Sequence, residues 1–557
     1  MTPRRTSLTA IVLGLALPLS ACSSGGSPVE DGNARSTSLK PTAWSSAPAD
    51  AVKSGGTLKL ATTTLPTNFN DRVGLGDQVD PGLIAPTRGN AVVIKADGTW
   101  SVDRDYAESV KLVDRDPQVV EVELNPKAVW QDGSPIVAKD MIAWWKALNG
   151  SNKKFDVNDS TGFEDIKSVK EGADRFTYRV TFARNNADWP TLIYPELPAV
   201  VTSSDKAFNK GYAKKAVPSN GPYVISKISG NGKVITQTPN PKWWGNKPKL
   251  AKITWRVVDR SAQAQAFANK KIDAVSVGQD KASYDIARTR ADSRVQRANG
   301  LTWTHLTFNG TRGPLKDVKV RRAIAHAIDR EAMSSAASKP LGAPAVTQGS
   351  MIYVPGQKGY KDAATAQIGF DVKKSAALLK EAGYSKAPDG LQTKAGKPLT
   401  LSIAVPSDTP GNARRARLIQ RYLKKVGITV RLDTVSADKY FDDFIVPLNF
   451  DMATFNWEGE PFPVSAREPL FHPVDSGQNF TGITSPKLAD LWKKADAELD
   501  PARQMSLAKD IDKELFSYVP IVPIAQTPTV FVVAKGVVNY GAAQFEHPDF
   551  TKVGYKK

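Results

Sequence analysis

Leu306-Thr307-Phe308-Asn309, then Gly313-Pro314-Leu315-Lys316-Asp317, then Val318 to Ala332 is the stretch on which the fold turns. The first four residues read as a strand and the second run as a loop. In the third, Val320, Ala323, Ile324, Ala327 and Ile328 recur at helical spacing, which predicts an amphipathic helix over 318–332. Lys319, Arg322, Arg330 and Glu331 are expected on its outer face. A strand, a loop and a helix with one apolar stripe form a packing unit of an α/β protein.

The rest of the chain repeats that alternation. Helical patterns at 371–383 and 413–426 are interleaved with strand patterns at 399–405 and 427–432. Helices at 485–499 and 501–518 lead into strands at 519–524 and 530–533. Earlier strands are expected at 58–62, 119–124, 176–182, 253–258 and 272–275, with a helix at 261–271. A chain of 557 residues exceeds one ordinary core, so two or three lobes are expected.

Composition narrows the class. Mean hydropathy of -0.33 excludes a polytopic membrane protein. The net charge of +19 arises from 75 basic and 56 acidic residues scattered along the chain. No nucleic-acid recognition fingerprint accompanies it, so a basic surface facing anionic lipid or wall polymer is expected instead.

Cys22 is the single cysteine, which excludes intramolecular disulfides and cysteine-based metal clusters. Arg4-Arg5, an apolar run from Leu8 to Leu19, and Ser20-Ala21 precede it. The run is too short to span a bilayer. The arrangement resembles a bacterial lipobox, which implies a signal peptide over 1–22, lipid attachment at Cys22 and an extracytoplasmic, membrane-anchored protein. Residues 23–54, rich in Ser, Gly, Pro, Ala and Asp, are expected to form a flexible tether, with folding starting at Gly55.

No catalytic constellation emerges. Gly-x-Ser-x-Gly and His-Glu-x-x-His are absent, and His305, His326, His472 and His547 stand in unlike contexts. No enzyme activity, cofactor or metal is expected. One constellation reads as a binding wall: the buried strand Phe450 to Asn456 runs into Trp457-Glu458-Gly459-Glu460-Pro461. A tryptophan offers a flat face to a ligand, and a carboxylate can pair with an ammonium.

Six strings in order resemble the family 5 extracellular solute-binding proteins, the peptide receptors of ABC importers. They are the 306–330 stretch, Gly55-Gly56-Thr57, Trp130-x-Asp132-Gly133-x-Pro135-x-x-Ala138-x-Asp140, Val217 to Tyr223, Asn240 to Pro248, and Phe450-Asp451-Met452-Ala453 with Trp457. The resemblance implies an α/β, two-lobed type II periplasmic-binding-protein fold with two crossover hinge strands. It implies a first lobe over 55–305 with an inserted subdomain at about 81–195, a second lobe over 306–518, and a return to the first lobe over 519–557. It places Glu460 where peptide receptors carry an Asp that holds the α-amino group, with Glu458 competing for that role. Trp457, Glu460, Glu458, Asn456 and, on the facing lobe, Asn68 are the expected ligand contacts; Asn309 is expected to serve ligand or hinge. A monomer that delivers oligopeptides to a membrane permease is implied. The alternative is a lipoprotein of the same fold that no longer imports and regulates envelope assembly. The tryptophans Trp130, Trp144 and Trp145 are expected in the core rather than on ligand.

Overall fold

The computed structural model describes residues 38–74 and 79–557, together with the backbone of 30–31. Cys22 and the signal peptide lie outside the described residues. Two lobes are built around separate sheets. In the second lobe the strand order is Thr429–Val435, Thr400–Pro406, Met452–Trp457, Trp303–Phe308, Ile521–Gln526. The first three run parallel, and Trp303–Phe308 is antiparallel to both of its neighbours. Every residue of Trp303–Phe308 is buried, as expected of a central strand covered on both faces.

The first lobe holds two four-stranded sheets. One orders Thr57–Thr62, Lys252–Val257, Val234–Pro239 and Tyr223–Ser229. The other contains Ser293–Ala298, Thr529–Ala534 and Ala274–Ser276, with Glu30–Asp31 on its edge. The inserted subdomain has its own antiparallel sheet, Ala107–Arg115, Gln118–Leu124, Thr177–Phe182 and Ile166–Glu171. Its core takes in Trp130, Trp144 and Phe208, so the subdomain reaches past residue 195. The Trp-x-Asp-Gly motif has a structural cause: buried Asp140 accepts from Trp130 Nε1 (3.2 Å), Val137 N (3.0 Å) and Ala199 N (2.8 Å). One carboxylate thereby caps a helix, orients a core tryptophan and holds a distant loop.

Two links join the lobes side by side. Ser293–Ala298 continues through 299–302 into Trp303–Phe308, and Ile521–Gln526 continues through Thr527 and Pro528 into Thr529–Ala534. The crossovers therefore fall at 299–302 and 527–528, not at 305/306 and 518/519, because 521–526 pairs with 303–308 inside the second-lobe sheet. The links touch: Thr527 N donates to Thr302 O (2.8 Å), and a Cβ on Gly300 would lie 1.8 Å from Thr527 O. Gln526 Nε2 and Gln544 Nε2 both donate to Gly300 O and to Pro355 O. Asn309 sits at the far end of its strand, where Nδ2 donates to Leu448 O and Phe450 O, so it pins a loop and is no part of the hinge.

Two other expectations are corrected. The helix over 318–332 is broken: Val318–Ala327 ends at Ile328, and Asp329 caps a new helix, Arg330–Ser338. The break turns Arg330 inward; it is buried and donates to Gln348 O (2.8 Å) and Thr365 Oγ1 (3.2 Å). Residues 38–54, expected in the tether, lie along the first lobe. Val52 is buried, Asn299 N donates to Lys40 O (2.8 Å), and Asn539 bonds Ser45 O and Ala47 through backbone and side chain. Polar composition hid this because the contacts are backbone hydrogen bonds, which composition does not encode.

Candidate functional site

Parallel strands of an open sheet end at the crevice where ligands bind. Here Pro406, Val435 and Trp457 are the carboxyl ends, and they face the crossovers. Between the lobes at this level lies a cavity of about 440 Å³. The crossover lines it with Gln526, Thr527 and Pro528, the first lobe with Arg260 and 277–281, and the second lobe with Thr304, Leu341, Arg414, Arg415 and the start of helix Pro410–Lys425.

Arg415 is buried, and no carboxylate lies within ion-pairing distance among the described residues. Its Nε donates to Thr454 Oγ1 (2.5 Å) and its Nη2 to Asn412 Oδ1 and, at 3.4 Å, to Asn456 Oδ1. Burial pushes its pKa down to about 10. Asn456 stands behind the cavity wall: it is the cross-strand partner of Thr304 and accepts from Arg415, both of which line the cavity.

Trp457 projects from the other face of the same strand. Its ring lies 4.0 Å from that of His305 at 32°, and Trp303, Phe455 and Phe471 meet it edge-on. His305 is fully buried and held neutral, its pKa driven well below the usual range first by burial, then by the Arg415 and Arg467 charges. Arg467 is buried with its guanidinium 5.7 Å over the Trp303 ring, and Nη2 donates to Glu458 O. Burial lowers its pKa to about 10.

The five expected contacts thus separate. Asn456 adjoins the cavity, while Trp457 and the two carboxylates form a ledge beside it. Glu458 accepts from Thr302 Oγ1 (2.7 Å), which ties the ledge to the first crossover. Glu460 is exposed and makes no hydrogen bond or ion pair through its carboxyl among the described residues. Crowding by the protein raises its pKa, and the Arg467 charge offsets part of that rise. Asn68 is not brought to this ledge by any bond: Nδ2 donates to Asn209 O (2.9 Å) and Oδ1 accepts from Asn70 N (3.0 Å), both within the first lobe. The arginines 260, 414, 415 and 467 were missed. The available signal was Arg414-Arg415 in the first turns of a helix with no acid three or four residues away.

Residues 102–478 match the profile of bacterial extracellular solute-binding proteins, family 5. The oligopeptide-binding protein OppA of Mycobacterium tuberculosis (strain ATCC 25618 / H37Rv) is 32% identical over 511 residues, spanning 91% of this chain and 86% of that protein. OppA of Bacillus subtilis (strain 168) is 25% identical over 97% of this chain and 98% of its own length. Among solved structures, the periplasmic EDTA-binding protein EppA superposes with a TM-score of 0.80 at 26% identity, covering 93% of this chain and 99% of that one. AppA from Bacillus subtilis superposes at 0.68 with 19% identity, covering 91% and 100%, and shares the fold. Two lobes, paired crossovers, an interlobe cavity and this profile together place the chain in the family 5 extracellular solute-binding proteins of ABC importers, with the type II periplasmic-binding-protein fold.

Proposed function

We propose that the chain is a receptor lipoprotein that captures oligopeptides between its lobes and hands them to a membrane permease. The interlobe cavity at the crossovers carries this reading. Its volume suits a small solute, and it lies where opening at 299–302 and 527–528 would admit and release one. The names of the OppA relatives support peptide as the cargo. Cys22 supports lipid anchoring outside the cytoplasm. On the ledge, Trp457 offers an edge of its ring to the peptide backbone, and the unpaired Glu460 carboxylate takes the α-ammonium.

Thermal unfolding of the full-length protein with a mixed tripeptide library tests the reading. A ligand at a hundred times its Kd should stabilise the fold by about 2.7 kcal/mol, seen as a clear rise in Tm. A flat response to every peptide would favour a non-importing envelope role. Glu460→Gln should weaken free-amine peptides about tenfold or more, measured by calorimetry, and leave N-acetylated peptides unaffected. Equal affinity for both forms in the wild type would move the amine contact elsewhere.

A further inference from the structure

We propose that the interlobe cavity selects its cargo by carboxylate groups, so that acidic peptides or other polycarboxylates bind and basic ones are refused. This rests on the reading that the cavity holds the cargo, and it names the chemical class. Arg260, Arg414 and Arg415 line one cavity from both lobes, and none has a carboxylate within ion-pairing distance among the described residues. The fourth cation, Lys281, is engaged by Asp285 on its own helix. Among the described residues the one acidic side chain lining the cavity, Asp280, is occupied as a helix cap, accepting from Ala282 N (3.0 Å) and Ser283 Oγ (2.6 Å). Helix Pro410–Lys425 begins at the cavity, and Thr409 gives it no side-chain cap, so its first N–H groups add positive potential.

Arg415 shows that this is a built feature. It is nine-tenths buried, and Asn412 on its own helix with Thr454 and Asn456 on strand Met452–Trp457 hold its guanidinium in place. With Nε and Nη2 held by these partners, Nη1 is the nitrogen left to donate a charge-assisted hydrogen bond to a carboxylate. Three guanidiniums of like charge around one partly enclosed space leave a deficit that an incoming anion relieves. An ammonium would meet only repulsion there. The EDTA-binding relative, by its name, takes a polycarboxylate.

Calorimetry on the full-length protein in detergent, with triglutamate, trialanine, trilysine and EDTA as probes, decides the matter. Triglutamate or EDTA should bind at least about tenfold tighter than trialanine, trilysine should not compete, and added salt should weaken the acidic probes. Which of the two acidic probes binds tells whether the carboxylates belong to a peptide or to a chelator. Trialanine or trilysine binding as tightly as triglutamate would overturn charge selection and leave the receptor reading intact. Silence from all four probes would sink both. Arg414→Gln and Arg260→Gln, at exposed positions that spare the fold, should each weaken triglutamate about threefold to tenfold with trialanine unchanged, and Arg415→Gln should weaken it further. Wild-type affinity in all three variants would remove the cavity from consideration.

Discussion

Where the inserted subdomain meets the second lobe, Asp188, Glu468 and Asp496 crowd together. Ser465 Oγ donates to Asp188, and Ala187 N donates to Asp496 O (2.9 Å). Asp165, close by, is paired with Arg184, but no cation among the described residues pairs with the other three. Beside the crossovers the opposite holds, with guanidiniums of both lobes sharing one cavity. Both seams hold the same two bodies together, and both carry charge of one sign. They differ in how that charge is removed. The acidic seam can take protons from water: burial pushes Asp188 up to about 6, and burial with the Glu468 charge pushes Asp496 up to about 8. The basic seam cannot shed protons at any physiological pH, since Arg415 stays charged up to about 10, so only an anion balances it. One contact between the lobes therefore answers to pH and the other to ligand.

The comparison breaks most severely at the joint between the seams. Gly300→Ala should destabilise the fold by about 3 kcal/mol, because the new methyl meets backbone oxygen and neither crossover can yield alone. Chemical denaturation measures this, and a change under 1 kcal/mol, on the order of a surface substitution, would show that the links are loosely held. Next comes Asp496→Asn. A carboxyl whose folded pKa is raised from 3.8 to about 8 contributes stability that is complete below pH 4 and lost as pH rises through 8. Asparagine cannot ionise, so the variant should gain about 1–2 kcal/mol over wild type at pH 9 and nothing at pH 4, after allowance for solvent screening. Parallel Tm–pH profiles for the two proteins would refute the acidic seam. The smallest effect sharpens the other side: Arg414→Gln should change ligand-free stability by under about 0.5 kcal/mol, since its charge has no internal partner to lose. A loss of 2 kcal/mol or more, on the order of a broken ion pair, would reveal one.

The lobes were legible in the sequence because their strands are long, apolar and periodic. The strands expected at 306–309 and 450–456 were readable for that reason, although the structure sets them at Trp303–Phe308 and Met452–Trp457, and so was the motif around Asp140. Ends and breaks were less so. Ile328-Asp329 continues an apolar helical pattern, yet Asp329 caps a second helix there, and the backbone hydrogen bonds that decide between the two readings leave no periodic trace. At the site, a tryptophan ending a strand and carboxylates in the loop after it announce themselves. Arg415 does not, because beyond the local Asn412 its partners Thr454 and Asn456 are some forty residues away and meet it only when the sheet forms. The acidic seam was illegible for the same reason: Asp188 and Asp496 come from different lobes.

The docked segment at 38–54 has a geometric consequence. With Cys22 as the lipidated residue proposed above, a leash running to residue 54 would have 54 − 22 = 32 residues and a reach on the order of 110 Å fully extended. The pairing of Glu30–Asp31 with Arg294–Val295, together with the contacts from Lys40 onward, cuts this to at most 30 − 22 = 8 residues, on the order of 27 Å. The leash meets the body at Arg294–Val295, on the strand that runs into the first crossover, and Lys40 then touches Asn299 at the pivot itself. Under that proposed anchoring the first lobe would be the one held over the bilayer, and opening at the crossovers would swing the second lobe.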